Sequence, residues 1–197
     1  MFRTSALATM FGLSLASAAP AAVVVFSDDF NYGPRTVLNA PDSVFGGTWT
    51  TTNGTVDYLA PPTADFSNLC NGTAGCVDLD GSTGNAGLFS TVASFAAGTY
   101  ELTIQLFGNG RGGSDTVTIT LGSWSVTLSG IASNADVSQT FAFTTSGGVL
   151  SFENAGGDNV GAVLSSVSLA AVPLPAGGLL LIGAFGGLVA LRRRKTV

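Results

Sequence analysis

Apolar and polar residues alternate through most of the middle of the chain. Every second side chain is apolar from Thr99 to Phe107, from Asp115 to Leu121, and again after Trp124. A period of two places successive side chains on opposite faces of a β-strand, so we expect one face of each segment to be buried. Gly122-Ser123 separates the last two segments and predicts a short hairpin connection.

Further strands are predicted wherever a short apolar run lies between turn residues. No segment of residues 19–171, which we call the body, has a helical period of useful length. Gly54 separates two of the runs and predicts a hairpin between them. Together these patterns predict an all-β fold, an antiparallel jelly-roll-like sandwich of roughly nine or ten strands whose first and last strands are neighbours. The runs are 21–26, 48–53, 56–59, those around Phe141 and Phe143 and around Leu150 and Phe152, and 164–169.

The first eighteen residues have a different pattern. Arg3 precedes an apolar run from Ala6 to Leu15, and Ala16-Ser17-Ala18 then supplies the small-x-small pattern that a signal peptidase cleaves. We predict that residues 1–18 are a signal peptide that directs the chain to the Sec translocon and is removed before Ala19. The apolar run is short for a membrane span, although a retained N-terminal anchor is the alternative.

The C-terminal segment also stands apart from the body. Val-Pro-Leu-Pro-Ala occupies 172–176, an uncharged apolar run occupies 177–191, and four cations lie in the tail 192–197. As a helix, the run would measure about 22 Å, or about 30 Å when counted from Val172, which is close to one hydrocarbon core. We predict a single transmembrane helix over 177–191. Its basic cytoplasmic end contains Arg192, Arg193, Arg194 and Lys195.

These three parts, in this order, resemble the VPLPA variant of the PEP-CTERM protein-sorting signal. The two prolines bias the motif toward an extended, accessible backbone. The resemblance covers Val172 to Lys195, and an ordinary membrane anchor after a proline-rich linker is the alternative. It implies that an exosortase-like transpeptidase of a Gram-negative bacterium processes the chain near the motif Val172, Pro173, Leu174, Pro175 and Ala176.

Composition narrows the function of the body, residues 19–171. This region holds all 12 acidic residues of the chain, but only Arg35 and Arg111 of its seven basic ones. Such a surface repels nucleic acid, so we expect no nucleic-acid partner. The chain contains no histidine, which excludes histidine-based triads and most zinc sites. Glu101 and Glu153 do not stand out as a catalytic pair, and we expect no enzymatic activity.

Two cysteines lie close together at Cys70 and Cys76. In an exported chain this spacing predicts a disulfide that closes a small loop. Two free thiols are the alternative. The spacing matches neither a CxxC redox motif nor a zinc knuckle.

Several aspartates are candidate ligands for calcium, which is the only cofactor that the sequence suggests. Because the first and last strands are expected to be neighbours, Asp28, Asp29 and Asp158 could converge on a calcium ion. Solvated turn aspartates are the alternative. The sequence Asp78-x-Asp80 starts like an EF-hand but lacks its later ligands, so a strand end followed by a turn is favoured over a calcium site of another type.

Candidate ligand residues come from the aromatic and basic side chains. Trp49, with Tyr32 and Tyr58, could form an apolar platform for a sugar ring, whereas Trp124 is in register with core positions. Arg111, within a glycine-rich loop, could bind a carboxylate or a pair of sugar hydroxyls. A solvated loop tip is the alternative for Arg111.

The body also resembles, more weakly, the galactose-binding-like sandwich domains. That family often carries an aspartate near its last strand as a calcium ligand, but Ser165 or Ser166 occupies the place here, which puts the ligand in doubt. The matching segments are 77–82, 87–91, 97–103 and 108–109.

We therefore predict a non-enzymatic exported protein. It would be anchored transiently in the inner membrane with its body in the periplasm, and then passed to the cell surface or extracellular matrix. The alternative is a carbohydrate-binding module, with or without calcium, that acts on extracellular polysaccharide.

Overall fold

Eleven antiparallel strands and one short 3-10 helix make up residues 21–60 and 69–173, the part of the chain that the computed structural model describes. The helix covers Asp42–Phe45. The strands are β1 Val23–Asp28, β2 Trp49–Thr52, β3 Asp57–Leu59, β4 Cys76–Asp78, β5 Leu88–Phe95, β6 Gly98–Phe107, β7 Ser114–Leu121, β8 Trp124–Ala132, β9 Asp136–Thr145, β10 Gly148–Asn154 and β11 Val163–Ala171.

The strands form two sheets that pack face to face, which confirms the predicted all-β antiparallel sandwich. One sheet has the order β3-β4-β11-β6-β9, with β1 paired to β11, and the other has the order β2-β5-β10-β7-β8. Since β6 pairs along one whole edge of β11, strands β4 and β1 share the other edge. The predicted pairing of the first and last strands is therefore correct.

One predicted hairpin is wrong. The segments on either side of Gly54 are β2 and β3, and they lie in different sheets. The connection does not fold back on itself, because the Thr55 amide donates to the Asn85 carbonyl and Gly54 lies directly against the same backbone. Residues 53–56 therefore cross from one sheet to the other. The hairpin at Gly122-Ser123, which joins β7 to β8, is confirmed.

The core between the sheets is rich in aromatic rings. Trp49 stacks on Phe89 with ring centroids 4.4 Å apart, and both side chains are completely buried. Phe30, Phe45 and Phe152 surround this pair, so that three strands of one sheet and the β1–β2 connection meet at one point. Phe26 of β1 adds a contact from the other sheet, edge-on to Trp49. Buried aromatic pairs of this kind stabilise a fold beyond their contribution of apolar area.

The sandwich has two ends with different contents. We call one end the loop pole, where the connections 79–87, 108–113 and 155–162 meet. We call the other end the terminal pole, where β1 begins opposite the last residue of β11. Here the Val172 amide still donates to the Thr99 carbonyl, and Ala21–Val172 form one compact unit.

Several predicted segments lie outside the described residues. These are the signal peptide 1–18, the apolar run 177–191 and the basic tail 192–197, together with Leu174, Pro175 and Ala176 of the sorting motif. Within residues 21–60 and 69–173, no helix is long and apolar enough to cross a membrane. The predicted disulfide between Cys70 and Cys76 is present.

Candidate functional site

The loop pole contains four buried carboxylates close to one arginine. Asp57, Asp78, Asp80 and Asp115 are each less than 8% exposed. Buried carboxylates cost free energy unless hydrogen bonds or opposite charges compensate them. Asp57, Asp78 and Asp80 are bonded to residues at least 18 positions away in the sequence, so these three carboxylates join separate connections at this end of the sandwich. Asp115 is bonded to Asn109, in the connection before its own strand.

Asp78 and Arg111 form the centre of this network. The Arg111 guanidinium donates through Nη2 to the Asp78 carboxylate and through Nη1 to the Asn159 carbonyl, 2.9 Å away. The other Asp78 oxygen accepts the amides of Asp80 and Gly161, both at 3.1 Å. One side chain at the end of β4 therefore ties together the β6–β7 and β10–β11 connections.

Burial changes the acidity of this carboxyl group. Loss of solvent raises the pKa of Asp78 to about 7, and this effect outweighs the opposing attraction of Arg111. Burial also raises the pKa of Asp115, whose carboxylate accepts a hydrogen bond from Asn109 Nδ2 at 2.9 Å. We therefore expect the Asp78 carboxyl to exchange its proton near neutral pH.

Asp80 and Asp57 fix the remaining connections. Asp80 accepts the Gly157 amide at 3.1 Å, and Asp57 accepts from the hydroxyl of Ser82 at 2.7 Å. The second oxygen of Asp80 and the side-chain amide nitrogen of Asn154 are buried without a protein partner among the described residues. Ordered water usually satisfies buried groups of this kind.

A cleft of about 210 Å³ lies beside this network. Its floor is apolar and includes the buried Phe107 with Leu69 and Ala135. Exposed amide and carboxylate side chains at Asn71, Asn134 and Asp136 stand among the lining residues, and Gly108, Gly110 and Ser133 complete the lining. An apolar floor with a few polar groups is the usual composition of a small-molecule site. We call this feature the loop-pole cleft.

The elements around the cleft explain its shape. The disulfide holds the loop that carries Asn71, and Thr73 closes a turn onto the Cys70 carbonyl. Across the cleft, the β6–β7 connection contacts the β8–β9 turn, because the Gly110 amide donates to the Ser133 carbonyl at 2.8 Å. Gly108 lies against the backbone of the same turn, where a Cβ atom would overlap it. The disulfide therefore holds the loop with Asn71 in place, and backbone contacts hold the β6–β7 connection against the β8–β9 turn.

The prediction for Trp49 is wrong, whereas Trp124 packs against the core as predicted but is less buried than Trp49. Trp49 is completely buried and donates from its indole nitrogen to Asp28 at 2.7 Å, so it cannot form a sugar platform. Tyr58 is also completely buried. Trp124 is only partly buried, because it lies on the edge strand β8 and stacks on Phe143 of β9, the facing edge of the other sheet.

The proposed calcium ligands are not brought together. Asp28 is opposite Val167 of β11, whereas Asp158 lies in the connection before Val163, beyond the other end of that strand. Four residues of strand amount to about 13 Å. Asp28 accepts hydrogen bonds from Trp49 and from the Tyr32 hydroxyl, and Asp158 accepts one from Val160.

Asp29, the third of the proposed calcium ligands, is an ordinary turn residue. It is exposed and accepts the Asn31 amide, as a turn aspartate does. Within the described ranges, no group of three or more histidine, cysteine or acidic side chains is arranged to hold a metal ion. Ser166 lies near Asp28 and Asp29 in a shallow depression, while Ser165 is buried and donates to Gln105.

Arg111 binds a carboxylate, as the sequence suggested, but the carboxylate is that of Asp78 within the protein. It is not a solvated loop tip, because both terminal nitrogens are bonded to protein, and its side chain is 33% exposed. Arg111 follows Gly110, which lines the loop-pole cleft. Arg111 therefore joins the β6–β7 connection, which lines the cleft, to Asp78 and Asn159.

Sequence reasoning did not identify the residues that line the cleft. Asn71 was visible only as part of the disulfide loop. Asn134 and Asp136 belong to a polar interval between Ile131 and Val137, which is an ordinary signal for a turn. The pairing of β6 with β9 and of β7 with β8 places that turn at the loop pole, where it lines the same cleft as Asn71.

The sequence matches no protein-family model and no curated protein. Among solved structures, it is similar to an exo-β-1,3-galactanase from Phanerochaete chrysosporium, with 16% identity, 70% of this chain and 29% of that chain covered, and a TM-score of 0.39. It thus spans less than a third of that enzyme.

Two shorter structures are similar over nearly their whole length. One is a family 35 carbohydrate-binding module from Clostridium thermocellum, with 13% identity, 70% of this chain and 98% of that chain covered, and a TM-score of 0.43. The other is a xylan-binding CBM22-1 domain from Paenibacillus barcinonensis, with 14% identity, coverages of 80% and 99%, and a TM-score of 0.45. Similarity at this level carries no information about a ligand.

Proposed function

We propose that this protein is an exported carbohydrate-binding sandwich that holds a sugar unit of an extracellular polysaccharide in the loop-pole cleft. The observation that carries the proposal is the combination of an apolar floor with Asn71, Asn134 and Asp136 in one cleft. Sugar rings have apolar faces and a rim of hydroxyls. Amide and carboxylate side chains can hydrogen-bond those hydroxyls as donors and acceptors.

The size and charge of the cleft narrow the ligand class. A volume of about 210 Å³ is below the ~300–1,000 Å³ typical of pockets for drug-sized ligands, which suits one ring or the end of a glycan chain. Asp136 and the carboxylates behind the cleft disfavour anionic sugars. We therefore propose a neutral glycan as the ligand, and binding without catalysis.

The test is binding to a panel of neutral and acidic polysaccharides by affinity electrophoresis, followed by titration with fragments of any glycan that retards the protein. Asp136→Ala and Asn71→Ala should each weaken binding about tenfold, which is the effect of losing one or two hydrogen bonds to the ligand. Gln139→Ala, an exposed change on β9 outside the cleft, is the matched control. Retention that is unchanged in both cleft variants would exclude this site.

The proposal for sorting rests on the sequence of the two ends. A removed signal peptide, the motif 172–176, the apolar run and the terminal cations support export, transient anchoring in the inner membrane and processing by an exosortase-like transpeptidase. The body would then reach the cell surface or extracellular matrix. In this step the chain is the substrate, and the catalytic thiol belongs to the partner enzyme.

Intact mass spectrometry of membrane, surface and medium fractions tests the sorting proposal. We expect a surface species that begins at Ala19 and ends within or near the motif. The double change Pro173→Ala and Pro175→Ala should leave the unprocessed chain in the inner membrane. Normal processing of this variant would contradict recognition of the motif.

A further inference from the structure

Three consecutive valines at the terminal pole are unusually exposed. Val23, Val24 and Val25 are 60%, 58% and 46% exposed, although they begin strand β1. Among the described strands, β1 pairs only with β11, so its other edge is open. Val92 and Val149, from the half of the neighbouring sheet nearer this pole, are exposed too. An exposed apolar edge is costly in water and indicates a surface with a partner.

The same pole carries the exit of the chain toward its C-terminal segment. Val23 is opposite Ala171, and Val172 is the last residue bonded to the sheet before Pro173. Only residues 173–176 separate Val172 from the apolar run that starts at Gly177. Fully extended, this interval spans at most about 18 Å. Whenever that run lies in a bilayer, the terminal pole must therefore stay within reach of the lipid headgroups.

The distribution of charge also favours an orientation with the terminal pole toward the membrane. Seven acidic residues lie at or near the loop pole: Asp57, Asp78, Asp80, Asp115, Asp136, Glu153 and Asp158. Of the acidic residues in the described ranges, Glu101 alone lies close to the terminal pole, where it is opposite Ala170 of β11. Anionic lipid repels the acidic loop pole more strongly than the terminal pole, which has one acidic residue.

We propose that, while the tail is anchored, the β1 valines Val23, Val24 and Val25 dock in the interfacial layer of the inner membrane. This inference rests on the proposed membrane tail. Apolar side chains gain by leaving water for the boundary between headgroups and acyl chains. Docking holds the terminal pole against the bilayer and directs the loop-pole cleft away from it. A bilayer is favoured over a second copy of the chain because the proposed membrane tail would keep this pole near lipid.

The experiment uses the chain from Ala19 to Val197 in vesicles of phosphatidylethanolamine and phosphatidylglycerol. An environment-sensitive dye is attached at Val24→Cys or, as a matched control at the loop pole, at Ala155→Cys. Headgroup-level spin-labelled lipid should quench the dye at position 24 by about one half, consistent with insertion of ~5–10 Å. It should leave the dye at position 155 unchanged. Adding Val23→Ser and Val25→Ser should restore the fluorescence at position 24.

Flotation of the same vesicles separates this inference from the proposed tail. A chain that does not float with lipid contradicts the membrane tail itself, and docking falls with it. If the chain floats but positions 24 and 155 are quenched equally, the tail is supported and docking is overturned. The dye at position 24 could instead be shielded from the spin-labelled lipid only at high protein density, together with crosslinked dimers. This result would assign β1 to a contact with a second copy and would also overturn the inference.

Discussion

At the loop pole, long connections are joined through side chains, whereas at the terminal pole three connections are turns of only two residues. The turns are 96–97, 122–123 and 146–147. The loop pole buries four carboxylates and pairs one of them with Arg111, while the terminal pole exposes three valines. Long connections can bring distant polar groups together, and short turns cannot. Recognition chemistry is therefore expected at the loop pole and attachment at the terminal pole.

The largest expected difference between the poles comes from a pair of glycines. At Gly161 a Cβ atom would overlap the Asp80 amide and the Asp78 carboxylate, whereas at Gly98 its nearest neighbour is the Tyr100 ring at 3.4 Å. Overpacking of this kind should lower the free energy of unfolding of Gly161→Ala by about 3 kcal/mol. Gly98→Ala should change it by less than about 1 kcal/mol. Urea denaturation of both variants measures the contrast, and equal losses would show that the poles are packed alike.

Removal of the loop-pole cation should have the next largest effect. Arg111→Ala leaves Asp78 buried without its partner and frees the Asn159 carbonyl. We expect a loss of about 2–3 kcal/mol in the free energy of unfolding near pH 7, less than for a fully buried pair because Asp78 can take up a proton. The exposed Arg35→Ala is the control, with an expected change within about 0.5 kcal/mol. If Arg111→Ala left the free energy of unfolding unchanged, the ion pair between Arg111 and Asp78 would not hold the loops together.

The pH dependence of stability follows from Asp78. The pKa of its carboxyl group is about 7 in the folded protein and 3.8 as the reference value. Between these values the folded state holds a proton that the unfolded state has lost, so the contribution of Asp78 to stability is complete below pH 4 and is lost as pH rises to 7. From pH 5 to 7.5, the loss should be about 2 kcal/mol for this group.

Asp78→Asn tests this pH dependence. The amide oxygen can still accept from Gly161, but the titrating group is gone. Thermal or urea unfolding across this pH range should show a flatter slope for the variant, with a small slope left for Asp115, whose pKa burial also raises. An unchanged slope would place the titration elsewhere.

The smallest expected effect concerns the terminal pole. In the released body, Val24→Ser removes an apolar side chain that is already 58% exposed. The free energy of unfolding should change by no more than about 0.5 kcal/mol. Denaturation of the released body, compared with membrane docking of the anchored chain, separates the two roles. A loss above 1 kcal/mol would show that β1 is part of the core.

The alternating pattern was sufficient to predict the sandwich. In β6 and β7, every second residue faces the core, and local sequence determines that period. The pattern could not predict how deeply the side chains on each face would be buried. Trp124 does face the other sheet, but β8 is an edge strand and the facing strand β9 is an edge as well. Trp49 precedes three threonines, and no local pattern shows that it meets Phe89 in the core.

The loop pole was missed for a related reason. Local sequence treats aspartate as a turn or surface residue, which suits Asp29 but not Asp78 or Asp80. Their partners, Gly161 and Gly157, lie 83 and 77 residues away. A long-range network of this kind becomes visible only when the strand order is known. The cleft beside it depends on the same strand order.

Mapping of a bound glycan by NMR tests the central claim most directly. Titration of the isotope-labelled body with a fragment of a retained neutral polysaccharide should shift the amide signals of Asn71, Gly110, Asn134 and Asp136, the residues of the loop-pole cleft. Signals of the terminal pole, such as those of Val24 and Ser123, should not move. Shifts confined to the outer face of a sheet or to the terminal pole would contradict the account, and so would the absence of binding to every neutral glycan tested.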